Sequence, residues 1–360
     1  MVESRLIGPV RVVGAGLLGT SIGLGLSNRG IDVILADASP TNLSLAIDYG
    51  AGRAATPDDA PQLIVVCVPP DVTAQIVARE LAAFPDAVVT DVASVKLAPL
   101  AELRAAGADV SRYLGSHPLA GRERGGPLAG RADLFIGRPW VVAAHDAISY
   151  QRATALDDLI LDLGASLVEM SPEDHDRAVA LVSHVPQVVS TLMARRLTDA
   201  PASALNLAGQ GLRDVTRVAA SDPELWVQIL SANPAPVREI LLALRDDLDR
   251  VIGALADPSA PGARRQVAEE IAGGNTGVAR LPGKHGQDRR YASLTVMVDD
   301  TPGQLARLLA EIGEVGVNLE DLRLEHSPGA QIGLAEISIL PETVSRLTSE
   351  LAARGWRIVG

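Results

Sequence analysis

Residues 115–126 read GSHPLAGRERGG and set His117 between a serine and a proline in glycine-rich chain. Imidazole titrates near neutral pH and can take a hydroxyl proton as a general base. The composition of the stretch predicts irregular backbone around it. Ser94 and Lys96 lie in VVTDVASVK, at the end of an apolar run. Gly14-x-Gly16-x-x-Gly19 sits in VRVVGAGLLGTSIGLGL, between an apolar β-rich run and a helical pattern. In that setting Gly14 serves the tight turn, Gly16 lets a pyrophosphate approach the N–H groups of Leu17 and Leu18, and Gly19 lets the helix pack close. Asp37 ends the next apolar run, 18 residues after Gly19. A carboxylate there accepts from ribose hydroxyls and repels a 2′-phosphate, which predicts NAD over NADP. Ligands in such sheets lie at the carboxyl ends of strands, so His117 and Ser94 are expected to converge beside the nicotinamide. The chemistry would be oxidation of a carbinol. Hydride leaves the carbon, His117 takes the O–H proton, and Ser94 orients the imidazole or the substrate hydroxyl.

Three kinds of element must position these groups. Residues 1–171 alternate apolar runs (VRVVGAG, DVILAD, LIVVCV, AVVTDV, PWVVAA, SLVEMS) with helical patterns at 19–28, 72–83 and 149–163. Wholly apolar strands between helices predict a doubly wound α/β domain of Rossmann type with a parallel sheet. From Ser171 the pattern becomes helical, opening SPEDHD with a Ser cap, Pro at the first position and an acidic first turn. Helices are expected on both sides of Pro186, where a kink should fall, and near 222–231, 235–256 and 262–271. This predicts an all-α domain over 172–280. The glycine-rich, basic stretch 272–290 reads as a linker, placed at 281–289. Residues 290–360 follow a βαββαβ order, the ferredoxin-like arrangement.

A net charge of −12 argues against nucleic acid or an anionic membrane as partner, while leaving room for an anionic small substrate. The one cysteine, Cys67, cannot form an internal disulfide and fits a reducing cytoplasm. The start of the chain has no signal-peptide layout, and no apolar run reaches membrane length. No metal-ligand spacing occurs, so no metal is expected.

In their order, GAGLLGTSIGLGL, DVASVK, GSHPLAGRERGG, DHDRAVALVSHVPQ and GLRDVTRVA followed by DPELW resemble the prephenate dehydrogenase family, over residues 10 to about 280. Arogenate and cyclohexadienyl dehydrogenases are its near relatives. The resemblance implies a Rossmann domain that binds NAD(P), dimerisation through the helical domain, and oxidative decarboxylation of prephenate to 4-hydroxyphenylpyruvate and CO₂. It implies that His117 is the catalytic histidine and that Ser94 bonds both this histidine and the substrate hydroxyl. It implies that Arg217 holds a substrate carboxylate and that His184 is a second active-site histidine near the substrate side chain. Glu123 matches an acidic residue at the pocket mouth, and Asp214 and Trp226 match supporting residues. Two positions depart from the pattern. Gln187 replaces a histidine that family members often carry, and Arg122 stands where many have a small hydroxyl residue. Both bear on the choice between prephenate and arogenate. A β-hydroxyacid dehydrogenase is disfavoured because residues 172–278 contain no lysine. A non-catalytic amino-acid sensor on a Rossmann scaffold would not need Ser94, His117, His184 and Arg217 together.

Residues 290–360 resemble an ACT domain, on VDDTPGQLARLLAEIGEVGVNLEDLRLEH. This resemblance implies amino-acid binding around Asp300, Pro302, Gly303 and Asn318, with L-tyrosine as the expected feedback inhibitor of a homodimer.

Overall fold

The computed structural model describes residues 4–121, 125–148, 150–281, 291–326 and 332–359. Two compact units result, residues 1–199 with 216–245, and residues 200–215 with 246–360.

The first unit begins with β1 (Val10–Val13), α1 (Leu17–Ser27), β2 (Val33–Ala36), α2 (Pro40–Asp48), β3 (Arg53–Ala54), β4 (Leu63–Val66), α3 (Pro70–Ala83), β5 (Val88–Asp91) and α4 (Leu97–Ala105). The strands form a parallel sheet in the order β3-β2-β1-β4-β5. All four residues of β4 and of β5 are buried, as a strand covered by helices on both faces requires. The two-residue β3 is too short to leave a pattern in the sequence.

The next elements are β6 (Gly115–Pro118), β7 (Pro139–Ala143), α5 (Tyr150–Asp162) and β8 (Ser166–Met170). They depart from one continuous parallel sheet. β6 runs antiparallel to β7, and β7 parallel to β8, in a separate three-stranded sheet. A bridge between Val89 and Tyr113 and the bond from Leu114 N–H to Val89 O (3.0 Å) set the start of β6 beside β5. His117 therefore stands on a strand, paired with Val141, and not in irregular backbone. Buried Tyr113 and Leu114 anchor the segment. Long-range pairing overrides its glycine and proline content.

In the helical part, α6 (Pro172–Val179) is capped by Ser171, whose side chain accepts from Asp174 N–H. It runs through a π segment (Ala180–His184) into α7 (Val185–Arg195). Pro186 lacks an N–H and crowds the preceding turn, and the ladder relaxes into the wider π spacing just upstream. Then come α8 (Ala202–Leu205), α9 (Gln210–Thr216), α10 (Pro223–Ala232), α11 (Pro234–Ala256) and α12 (Ala263–Val278). α12 continues through Gly273, Gly274 and Gly277, so residues 272–278 are helix where composition suggested linker. Residues 282–290 lie outside the described residues. The segment 172–280 is divided between the two units. Its apolar cluster is small, Ala180, Val185 and Val237. Leu181, Val182, Leu192 and Val227 in the first unit, and Leu248, Ile252, Leu255 and Ile271 in the second, are exposed.

The second unit ends in β9 (Ala292–Asp299), α13 (Gln304–Glu314), β10 (Asp321–His326), β11 (Ile332–Ile339), α14 (Val344–Ala353) and β12 (Arg357–Val359). The strands form an antiparallel sheet in the order β10-β11-β9-β12. Burial alternates along β11, and Val296, Ile337, Leu308 and Leu351 share one core beneath the two helices. Among the described residues no helix is long and apolar enough to cross a membrane, and no cluster of His, Cys, Asp and Glu could hold a metal ion.

Candidate active site

The β1–α1 turn shows what its glycines do. Gly14 has φ +103°, and a Cβ on it would lie 2.3 Å from the carbonyl oxygen of Cys67. A Cβ on Gly19 would lie 1.8 Å from the carbonyl oxygen of Gly14. These two positions close the turn and seat the helix. Gly16 is different, because a Cβ there meets nothing within 4 Å. It begins α1, and no side chain caps that helix. Leu17, Leu18 and Gly19 thus offer first-turn N–H groups beside open space, a fit for a diphosphate. Asp37 follows β2, and its carboxylate accepts from Ala15 N–H (2.6 Å) and Ser39 N–H (2.7 Å). It braces the turn, and each oxygen keeps a second lone pair for a ribose hydroxyl.

Side chains alternate along β6. Ser116 faces inward, where it accepts from Thr90 Oγ1 (3.0 Å) and Trp140 Nε1 (3.0 Å) and donates to Asp91 O (2.9 Å). His117 faces the other way. Its Nδ1 lies 2.9 Å from Nε2 of His175, with the rings edge-on and centroids 5.1 Å apart. Burial first, then the nearby His175, Lys96 and His184, hold the His117 imidazole well below its usual pKa. At neutral pH it is an uncharged base. The expected hydrogen bond from Ser94 is absent. Ser94 lies half-buried in the bend after β5 and makes no side-chain hydrogen bond among the described residues. Among the described residues, His175 and not Ser94 lies within hydrogen-bond distance of the His117 imidazole.

His175 and Asp176 were legible only as the acidic, helix-opening run of DHD. His175 is buried and its Nδ1 meets Asp176 Oδ1 at 2.7 Å. Asp176 accepts from the N–H groups of Lys96 (2.8 Å) and Leu97 (3.0 Å) where α4 begins. Lys96 does not reach the surface. Its ammonium pairs with buried Asp91, which also accepts from Tyr113 Oη (2.6 Å) and Ala93 N–H (2.8 Å). Burial pulls the Lys96 pKa down against the pull of Asp91, and burial pushes the Tyr113 phenol up.

His184 ends the π segment, buried, with Nδ1 3.3 Å from Asn233 Nδ2 and its ring edge-on to Trp226. Burial lowers its pKa to about 4. Asn233 also donates to Asp176 O (2.7 Å), which ties His184 to the His117–His175–Asp176 chain. Gln187 donates to Ser221 Oγ (2.5 Å) and so joins α7 to the segment before α10. Arg217 opens a 3₁₀ turn packed on α7, with its guanidinium exposed. Asp214 belongs to the other unit, is exposed, and accepts from Gln210 Nε2 (2.7 Å). Arg122 and Glu123 lie outside the described residues. In the C-terminal sheet, Asp300, Pro302 and Gly303 are exposed at the β9–α13 junction, and Gly303 has φ +90°. Asn318 is exposed and donates to Glu320 (3.0 Å).

A parallel β3-β2-β1-β4-β5 sheet, an uncapped glycine turn and a neutral, half-buried imidazole define a nucleotide-binding dehydrogenase. Known proteins narrow this. The nucleotide-binding domain of prephenate dehydrogenase matches residues 22–169, and the dimerization domain of prephenate dehydrogenase matches residues 171–269. A Streptomyces niveus protein named "Probable prephenate dehydrogenase NovF" is 37% identical, over 96% of this chain and 98% of its own. The cyclohexadienyl dehydrogenase of Zymomonas mobilis is 30% identical, over 69% of this chain and 88% of its own. The crystal structure of Synechocystis arogenate dehydrogenase superimposes with a TM-score of 0.61 at 27% identity, over 74% of this chain and 99% of that one. The chain belongs to the prephenate dehydrogenase family and is an NAD-dependent oxidoreductase.

Proposed function

We propose that the protein oxidatively decarboxylates prephenate to 4-hydroxyphenylpyruvate, with His117 as the base. The observation that carries this is the neutral imidazole of His117, whose Nδ1 is engaged by His175 and whose Nε2 makes no hydrogen bond to another described residue. When bound, the nicotinamide accepts hydride from the ring carbon. His117 Nε2 takes the hydroxyl proton as the carbonyl forms. Breaking the bond to CO₂ sends its electron pair through the ring to that oxygen, which recovers the proton from His117 as the phenol. Aromatisation drives the loss of CO₂, so the protein mainly supplies orientation and one base. Arg217 offers a bidentate fork to a substrate carboxylate. His184 and Trp226 border the side chain, Gln187 braces that wall, Glu123 acts at the pocket mouth, and Asp214 is a supporting residue of the helical segment. Ser94 stays in this reading as a group for the substrate hydroxyl and not as a partner of His117. The test is NADH formation from prephenate and from arogenate, each with NAD and with NADP. Turnover with prephenate and NAD is expected, and its absence overturns the reading. Likeness to the Synechocystis arogenate dehydrogenase favours arogenate as the second reading, and the same assay decides between them.

The domains are read as 1–171 for the dinucleotide, 172–280 for substrate and dimerisation, and 290–360 as an ACT-type regulatory module. Exposed apolar residues on the helices and the matched dimerization domain support a homodimer. The βαββαβ order supports the ACT reading, as does a depression lined by Asp299, Asp300, Thr301, Leu305 and Leu324. L-Tyrosine is the proposed effector. Titration calorimetry of the full chain with tyrosine should show binding that Asp300→Ala weakens, and absence of heat refutes it. The lone Cys67 fits a cytoplasmic setting.

A further inference from the structure

We infer that His175 and Asp176 are positioning residues that fix the tautomer of His117 and so decide which of its nitrogens acts as the base. This deepens the reading above and rests on it.

Asp176 receives two backbone N–H groups, from Lys96 and Leu97, where α4 begins. Both N–H groups point at the carboxylate from the first turn of a helix, where the helix presents its positive end. An ionised carboxylate only accepts. His175 Nδ1, 2.7 Å from Asp176 Oδ1, must therefore carry the proton. A neutral His175 then has its lone pair on Nε2. That nitrogen lies 2.9 Å from His117 Nδ1, which must be the donor. Neutral His117 is left with its lone pair on Nε2, where a substrate hydroxyl can be deprotonated. When His117 Nε2 takes the proton, the Nδ1–H bond to His175 stays in place. The imidazolium is then backed by an imidazole that leans on a carboxylate. The His117–His175–Asp176 chain itself moves no net proton.

Burial makes the arrangement costly unless it is used. His175 is fully buried and Asp176 nearly so. A buried polar group without its partner costs free energy, so such a chain is either complete or strongly selected against. Asn233 closes it from the other side by donating to Asp176 O while facing His184 Nδ1. Among the described residues, the charged and titratable groups facing His117 are His175, with Asp176 behind it on α6, Lys96 at the start of α4, and His184 at the end of the π segment. Lys96 is neutralised by Asp91. Asp176 is thus the anion that supports a protonated His117.

The test uses the full-length protein with NAD and prephenate. It compares His175→Leu, His175→Gln and Asp176→Asn in kcat, KM, NAD affinity and the pH profile of kcat/KM. Losing the carboxylate behind a catalytic imidazole costs up to about 10⁴-fold in kcat in a serine protease triad. A loss of about 10²-fold or more is expected for His175→Leu, with KM and NAD affinity within about threefold of wild type. His175→Gln should recover about tenfold of that loss, because its carbonyl oxygen can still accept from His117 Nδ1–H. Asp176→Asn should move the acid limb of kcat/KM to lower pH, since the imidazolium loses its supporting anion. Should His175→Leu fail to fold, the other two variants decide. Equal kcat for the Leu and Gln variants, an unmoved acid limb in Asp176→Asn, or losses confined to KM would overturn the inference. Failure of wild-type turnover with prephenate would instead strike at the substrate, and the same variants would then be measured with arogenate.

Discussion

Gly16 and Gly19 stand three residues apart in one motif, yet the structure gives them opposite tasks. A Cβ on Gly19 would lie 1.8 Å from the carbonyl oxygen of Gly14, and real Cβ atoms essentially never come within 3.0 Å of such an atom. The helix must retreat by more than 1 Å, carrying buried Ile22 and Leu26 with it. Overpacking of this kind costs about 1–3 kcal/mol, and rigid backbone on both sides places Gly19→Ala toward the upper end. For a unit of this size about 2 kcal/mol lowers Tm by roughly 4–8 °C. Gly16→Ala meets nothing within 4 Å, and Gly16 already has a φ of −79° that alanine adopts freely. The poorer cap costs about as much as the reduced freedom of the unfolded chain returns, so Tm should move by no more than roughly 3 °C. The added methyl instead occupies the approach to the first-turn N–H groups. Weakening one or two charge-assisted hydrogen bonds, each about 1.5–3 kcal/mol, raises the NAD Kd about tenfold to a hundredfold. Differential scanning calorimetry and NAD titration of both variants separate the effects. If Gly16→Ala destabilises the fold while binding NAD normally, the assignment of the turn to the dinucleotide is refuted.

Other outcomes follow from the same geometry. His117→Asn should lower kcat by about 10²–10⁴-fold and leave NAD affinity nearly unchanged, and steady-state kinetics with wild-type turnover would remove His117 as the base. Arg217→Ala should raise KM for the substrate roughly tenfold to a hundredfold through loss of a charged hydrogen bond, and an unchanged KM would refute the carboxylate clamp. His184 takes a proton below about 4 in the folded chain but below 6.5 in the unfolded one. The unfolded state therefore binds more protons between these values, and stability present above 6.5 is lost as pH falls through that window. Denaturant melts of wild type and His184→Gln should show wild type losing about 2 kcal/mol more between pH 7 and pH 5. Equal losses would mean that His184 is not held neutral by burial.

Much of the architecture was legible because local patterns carry it. Apolar runs separated by helices predict the parallel strands β1, β2, β4 and β5. The glycine spacing predicts the turn before α1, and Ser171 with Pro172 predicts the start of α6. These signals rest on backbone conformation and burial of neighbouring residues, which the sequence states directly. His117 and Asp37 were visible as chemistry for the same reason.

Contacts between distant segments decided the rest. The sequence of 115–118 reads as a loop, and only pairing with β7 and the bridge to β5 make it strand. Ser94 is close in sequence to the right strand end, but α6 delivers His175 to His117 from 58 residues away. The role of Asp176 depends on two N–H groups some 80 residues back in the chain. Lys96 reads only as the close of an apolar run, and its burial against Asp91 comes from the fold. The sequence by itself determined which side chains could do the chemistry. The tertiary structure decided which of them touch, because hydrogen bonds act over a few ångströms and the folded chain sets those distances between segments that share no local pattern.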